Sequence, residues 1–124
     1  MSVVLIVEDN EKNMKLARDI LQAKGFVTLE ATSAEEGIRL AQEKIPDLVL
    51  MDIQLGGMNG VEAFELLRAD PRTAAIPVAA FTASVMSKDR NRVTLAGFDA
   101  LVSKPINLKE FVATITRLTS SGEC

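Results

Sequence analysis

Glu8 and Asp9, Asp52, Thr82 and Lys104 are the residues of this chain that could do chemistry together, because each stands at the end of a short apolar run. The sequence holds no histidine, which removes the commonest general base and the commonest zinc ligand. Whatever chemistry occurs must run on carboxylates, hydroxyls and lysine. Taken singly, each residue has an ordinary explanation. Acids at strand ends cap helices or face solvent, threonine terminates strands, and most lysines are solvated. The informative feature is that all of them break the apolar pattern at the same end of their segments.

The elements that must position them are readable from periodicity. Val3-Val4-Leu5-Ile6-Val7, Leu48-Val49-Leu50-Met51 and Val78-Ala79-Ala80-Phe81 are continuous apolar runs, the pattern of strands buried on both faces. Val27 to Ala31 alternates, and Ala100-Leu101-Val102 is short and flanked by polar residues, so both are expected at sheet edges. Between strands the helical period returns. Leu16, Ala17, Ile20 and Leu21 share a face that ends at Gly25; Ser33 with Glu36 forms a capping box ahead of Ala34, Gly37, Ile38 and Ala41, and Pro46 closes that run. A third helix is expected over Val61 to Ala69, burying Val61, Phe64 and Leu67 or Leu66. A fourth, weakly anchored, is expected over Val85 to Ala96. A fifth, opened by Asn107 with Glu110, carries Leu108, Phe111, Val112, Ile115 and Leu118.

Strictly alternating strands and helices, five of each, imply an α/β fold: a parallel sheet covered on both faces by right-handed crossovers. In such a doubly wound sheet the ligand crevice lies outside the carboxyl ends of the strands. With strand order 2-1-3-4-5, strands one and three are neighbours about 4.8 Å apart, and Glu8, Asp9 and Asp52 must share one small volume. Unit charges 4 Å apart repel by about 4 kcal/mol at an effective dielectric near 20, which favours recruiting a cation. Mg²⁺ fits, since it takes hard oxygen ligands and is commonly held by one or two carboxylates plus waters.

The chain's 124 residues fit one domain, 1–124, with 119–124 expected to be a frayed tail, so that output would pass through a partner. Apolar residues make up 48% of the sequence, yet no run approaches a bilayer span, and Met1 to Val7 leads into a strand without the marks of a signal peptide. A cytoplasmic location without membrane insertion is expected. Net charge is −3 with a sequence pI near 5.0, which argues against direct nucleic-acid binding; Lys88, Arg90 and Arg92 read as a solvated helix face. The lone Cys124 has no partner for a disulfide within the chain.

Over essentially its full length, from VLIVEDN through PDLVLMDIQL and AFTAS to VSKPI, the chain resembles the receiver domains of response regulators. Among these, EDNEKNMKL, LMDIQL and SKPI are most similar to the stand-alone DivK-like regulators. The resemblance implies a flavodoxin-like (βα)5 fold with sheet order 2-1-3-4-5. It implies Glu8 and Asp9 as the acidic pair for Mg²⁺, and Asp52 as the metal-bound acceptor of a phosphoryl group from a histidine kinase or histidine phosphotransfer protein. Gln54 would offer its backbone carbonyl to the metal, Thr82 would hydrogen-bond the phosphoryl oxygen, and Lys104, before Pro105, would pair with it. A downstream protein target would be met through the face made by helix four, strand five and helix five. Such a chain would be a phosphoacceptor switch with slow self-phosphorylation and dephosphorylation chemistry, and not an enzyme in turnover.

The sequence departs from the family pattern in two places. The loop after the acceptor reads LGGMNG, with Gly56 where receivers usually carry proline, and Leu101 stands where they commonly place an aromatic switch residue. Three other functions compete. An aspartate-nucleophile phosphatase would need an acid/base aspartate where Gln54 stands. A dinucleotide or flavin binder would need a glycine-rich turn in place of Glu8-Asp9-Asn10, and a phosphorylation-independent scaffold would not need the complete acceptor set.

Overall fold

Strand parity explains how one sheet can be apolar on both sides. In the computed structural model, which describes residues 2–52, 60–82, 98–103 and 108–120, β1 (Val3–Val7), β2 (Val27–Ala31), β3 (Leu48–Asp52), β4 (Val78–Thr82) and β5 (Ala100–Ser103) form a parallel sheet in the order β2-β1-β3-β4-β5. Val4, Ile6, Leu48, Leu50, Ala79 and Phe81 face one core, while Leu5, Val7, Val49, Met51 and Val78 face the other. Successive side chains in a strand point to opposite faces, so a strand covered on both sides must be apolar at every position. All five residues of β3 are buried, whereas β2, at an edge, leaves Val27 40% exposed.

Helix α1 (Glu11–Ala23) and the C-terminal helix (Leu108–Ser120) cover the first face; α2 (Ala34–Lys44) and α3 (Gly60–Ala69) cover the second. The buried stripe of α1 is Met14, Ala17 and Leu21, with Ile20 packed beside it. Leu16, expected on that face, is turned out and 45% exposed. Its place one residue before Ala17 rotates it about 100° from that residue, away from the stripe. Leu66 and Leu108 are likewise exposed, and Phe64, Leu67, Phe111, Ile115 and Leu118 carry the burial instead. Gly25, at φ 91, ends α1 in the left-handed conformation that glycine adopts freely, and Phe26 N–H returns to the Leu21 carbonyl at 3.0 Å. The Ser33 hydroxyl caps α2 by accepting from Glu36 N–H at 3.2 Å, and the Glu36 carboxylate reaches back to Thr32 N–H at 3.1 Å. Thr119 and Ser120, assigned to the tail from sequence, belong to the C-terminal helix, with the Thr119 hydroxyl donating to the Ile115 carbonyl at 2.8 Å. The helix expected over 85–96, the basic residues Lys88, Arg90 and Arg92, Asn107 and Cys124 lie outside the described residues. No helix among the described residues is long and apolar enough to cross a membrane.

Two aspartates at the strand beginnings set the register. Asp47 accepts from Val3 N–H at 2.7 Å and returns its own N–H to the Val3 carbonyl at 2.8 Å. Asp99 treats Val78 in the same way, at 2.8 and 2.9 Å, and also pairs with Arg68 at 2.7 Å. Arg68 donates to the carbonyls of Ala74 and Ile76 and lies 4.7 Å over the Phe64 ring, which stacks on Phe98. The first clamp bears on the site, because pairing Val3 with Asp47 starts the β1–β3 ladder that ends beside Asp52. Asp47→Ala is expected to cost about 1 to 2 kcal/mol in urea denaturation, since it removes one charge-assisted hydrogen bond at a partly solvated strand end. Asp47→Asn, which keeps an acceptor oxygen, should recover at least half of that loss.

Candidate metal and phosphoacceptor site

The β1–β3 register runs from Val4 opposite Leu48 to Val7 opposite Met51, so one step further Glu8 comes level with Asp52. Glu8 extends the sheet beyond β1, donating its N–H to the Ala31 carbonyl of β2 at 3.0 Å. Asp52 closes β3 opposite Phe81, and the next residue of β4, Thr82, lies opposite Ser103 of β5. The carboxyl ends of these neighbouring strands therefore bring three of the sequence-identified positions, Glu8, Asp52 and the main chain of Thr82, to one edge. Lys104 and Gln54 lie outside the described residues.

Glu8 is fully buried, Asp52 is 2% exposed and Asp9 faces solvent. One carboxylate oxygen from each lies within 4.8 Å of the others. The turn from β1 into α1 holds the Glu8 carboxylate in place. Asn10 N–H donates to Glu8 Oε2 at 3.1 Å, and the Asn10 side-chain oxygen caps α1 by accepting from Lys12 N–H at 3.0 Å and Asn13 N–H at 3.1 Å. The positive end of the α1 dipole thus lies beside the acidic pair. A cleft of about 330 Å³ opens next to it, lined among others by Glu8, Asp9, Glu11, Lys15 and Arg18, with Asp9 the exposed member of the pair.

The donor set fits Mg²⁺: all three ligands are hard carboxylate oxygens, and their spread is one that a partly hydrated ion spans through direct and water-mediated bonds. It does not resemble a structural zinc site, which would take thiolate and imidazole. Sequence reading did not find Asn10, although an asparagine immediately before a helical period is an N-cap signal. It also missed Asp47 and the Arg68–Asp99 pair, whose partners lie too far along the chain for periodicity to report.

A parallel doubly wound sheet with an acidic cluster, two of its three members buried, at the carboxyl ends of β1 and β3 is the architecture of a phosphoacceptor switch. The response regulator receiver domain matches residues 4–116, and the chain belongs to that family. It is similar to the polar-differentiation response regulator DivK of Brucella ovis, with 46% identity over 112 residues, covering 90% of this chain and 91% of that protein; DivK of Brucella anthropi matches equally. The fold is shared with a response regulator from Chloroflexus aurantiacus at a TM-score of 0.91 and 24% identity, over 96% of this chain and 98% of that one. The receiver domain of a sensor histidine kinase from Pseudomonas aeruginosa, solved with a magnesium ion coordinated in its active-site cleft, has a TM-score of 0.89 and 26% identity over 96% of this chain and 98% of that one. The chain is thus a receiver domain of two-component signalling, similar to DivK.

Proposed function

We propose that Asp52 accepts a phosphoryl group from a phosphohistidine of a histidine kinase or histidine phosphotransfer protein, in a Mg²⁺-assisted reaction, and that the resulting acyl phosphate alters contacts with a protein target. The convergence of Glu8, Asp9 and Asp52 within 4.8 Å carries this reading. A carboxylate oxygen of Asp52 forms the new O–P bond as the N–P bond breaks, and the electron pair of that bond returns to the donor imidazole. Glu8, Asp9 and Asp52 would supply side-chain ligands for the ion, and Gln54 would offer its backbone carbonyl. When bound, Mg²⁺ neutralises charge on the transferring phosphoryl oxygens. Lys104 pairs with the same oxygens and Thr82 hydrogen-bonds one of them. The likeness to the magnesium-bound Pseudomonas receiver supports the metal assignment.

Gln54 stands where a phosphatase needs an acid/base aspartate, so the chain acts as a switch and not as a turnover enzyme. The target-binding face is assigned to β5, the C-terminal helix and the helix expected over 85–96. β5 is an edge strand, and the C-terminal helix leaves Leu108 57% exposed in its first turn. The test is labelling with acetyl phosphate or a phosphohistidine donor, with and without Mg²⁺. One label per chain, dependent on Mg²⁺ and released by alkali and by hydroxylamine as an acyl phosphate is, is expected. Label that forms equally in EDTA would remove the metal from the reaction, and no label at all would favour a phosphorylation-independent scaffold.

Binding of the cation should also appear as stability. At a Mg²⁺ concentration tenfold above its Kd, the folded state gains about 1.4 kcal/mol by mass action. For a domain of this size that corresponds to a rise in Tm of roughly 3 to 6 °C. A melting curve unmoved by millimolar MgCl₂ would count against the site.

A further inference from the structure

We infer that Asn10 is a positioning residue for the acidic pair, holding Glu8 and Asp9 in the geometry that meets Asp52; this rests on the cation-binding reading of that site. The chain leaves β1 at Val7 and enters α1 at Glu11, so Glu8, Asp9 and Asn10 must make the whole turn. Asn10 ties the two ends of that turn together. Its backbone is extended, at φ −93 and ψ 118, and its side-chain oxygen takes the N–H groups of Lys12 and Asn13 while its carbonyl takes that of Met14 at 2.9 Å. Its own N–H donates to Glu8 Oε2 at 3.1 Å. The α1 cap and the hydrogen bond that orients the buried Glu8 carboxylate therefore meet in one residue.

Glu8 is anchored from the other side by its N–H to the Ala31 carbonyl at 3.0 Å. Asp9 consequently lies between two residues whose main chains are both fixed, which presents its exposed carboxylate beside the other two. Without a cation the three carboxylates repel, and the freedom most open to them is spreading of this turn. The cap opposes that spreading. Removing it leaves the first-turn amides to solvent, frays α1 at its start and frees the N–H that orients Glu8. Every substitution at position 10 other than proline keeps that N–H, so the side chain acts by holding it in place.

The experiment is a titration of the full chain with MgCl₂, followed by backbone amide shifts, with amide hydrogen exchange on the metal-free protein. Asn10→Ala should weaken Mg²⁺ binding about three- to tenfold and speed exchange at Lys12 and Asn13, as expected for loss of an N-cap. Asn10→Ser, which restores a capping oxygen, should return the affinity to within about twofold of the native chain. Asn10→Gln, whose amide sits one methylene too far out to cap, serves as a second loss variant if the alanine form melts without cooperativity. Unchanged Mg²⁺ affinity in folded Asn10→Ala or Asn10→Gln, with exchange faster at Lys12 and Asn13, would make the cap purely structural and overturn the inference alone. Absence of Mg²⁺-dependent shifts in the native chain would overturn the inference together with the reading of the site.

Discussion

Asp52→Asn is expected to take up no phosphoryl label from any donor while becoming more stable than the native chain in the absence of Mg²⁺. The two results have one cause. Asp52 supplies the only carboxylate at the end of β3, and asparagine, with the same shape, is too poor a nucleophile to form an acyl phosphate, so labelling should fall by at least about a hundredfold. The same change removes a charge from a cluster whose oxygens lie within 4.8 Å of one another, where each pair of charges costs at least about 3.5 kcal/mol at an effective dielectric near 20 before solvent screening. Its amide can also donate to a neighbouring carboxylate. A net gain of roughly 1 kcal/mol, read as a higher Tm in EDTA, is expected once the exposure of Asp9 is allowed for. Mg²⁺ should then stabilise the variant less than the native chain, because one ligand is gone. Persistent label in Asp52→Asn would place the acceptor elsewhere. A variant less stable than the native chain in EDTA would show that repulsion does not dominate the metal-free site.

The strands were legible because β1, β3 and β4 are buried on both faces, which forces continuous apolar runs that no helix face here imitates. Helix positions followed from the period, but the edges of each buried stripe did not. Leu16 and Leu108 are expected inside on hydrophobicity and face solvent, and of the alternatives Leu67 and Leu66 it is Leu67 that is buried, while Ala17, Ala34 and Ala63 are fully buried. A helix lying against a sheet brings its backbone closest where side chains are small, so its contact line selects alanine and glycine over leucine. Gly37 shows the limit, since a β-carbon built there would come 2.6 Å from a Val7 methyl.

The acidic cluster was legible for a different reason. Polar residues that interrupt buried strands at a common end must converge if the sheet is parallel, and Glu8 and Asp52 do so in register. The polar groups that fix the strand register were harder to find. Asp47 reaches 44 residues back to Val3, and Arg68 reaches 31 residues forward to Asp99, distances over which neither a period of two nor one of 3.6 carries information. Only the parallel topology brings those pairs together, at the edge opposite the acids.

The strand register also frames how phosphorylation at Asp52 could be sensed. Thr82 is the last residue of β4, one step beyond the level at which Asp52 meets Phe81, whereas Leu101 pairs in the ladder with Ala80, two residues earlier. Thr82 is therefore the residue of β4 best placed along the chain to respond to a new phosphoryl oxygen. Receivers resembling this chain commonly place an aromatic residue where Leu101 stands, and a leucine has neither the ring nor a hydroxyl with which to follow a moving threonine. On the proposed function, coupling is therefore expected to rest on Thr82. Thr82→Ala is expected to erase most phosphorylation-dependent partner binding, a loss of about tenfold or more, since allosteric couplings commonly lie between 1 and 3 kcal/mol. Leu101→Ala should keep that response and lose stability instead. Partner binding of each variant, with and without beryllofluoride as the phosphoryl mimic, separates the two. If Leu101→Ala remains folded but no longer responds while Thr82→Ala still does, the signal passes through β5 and not through the end of β4.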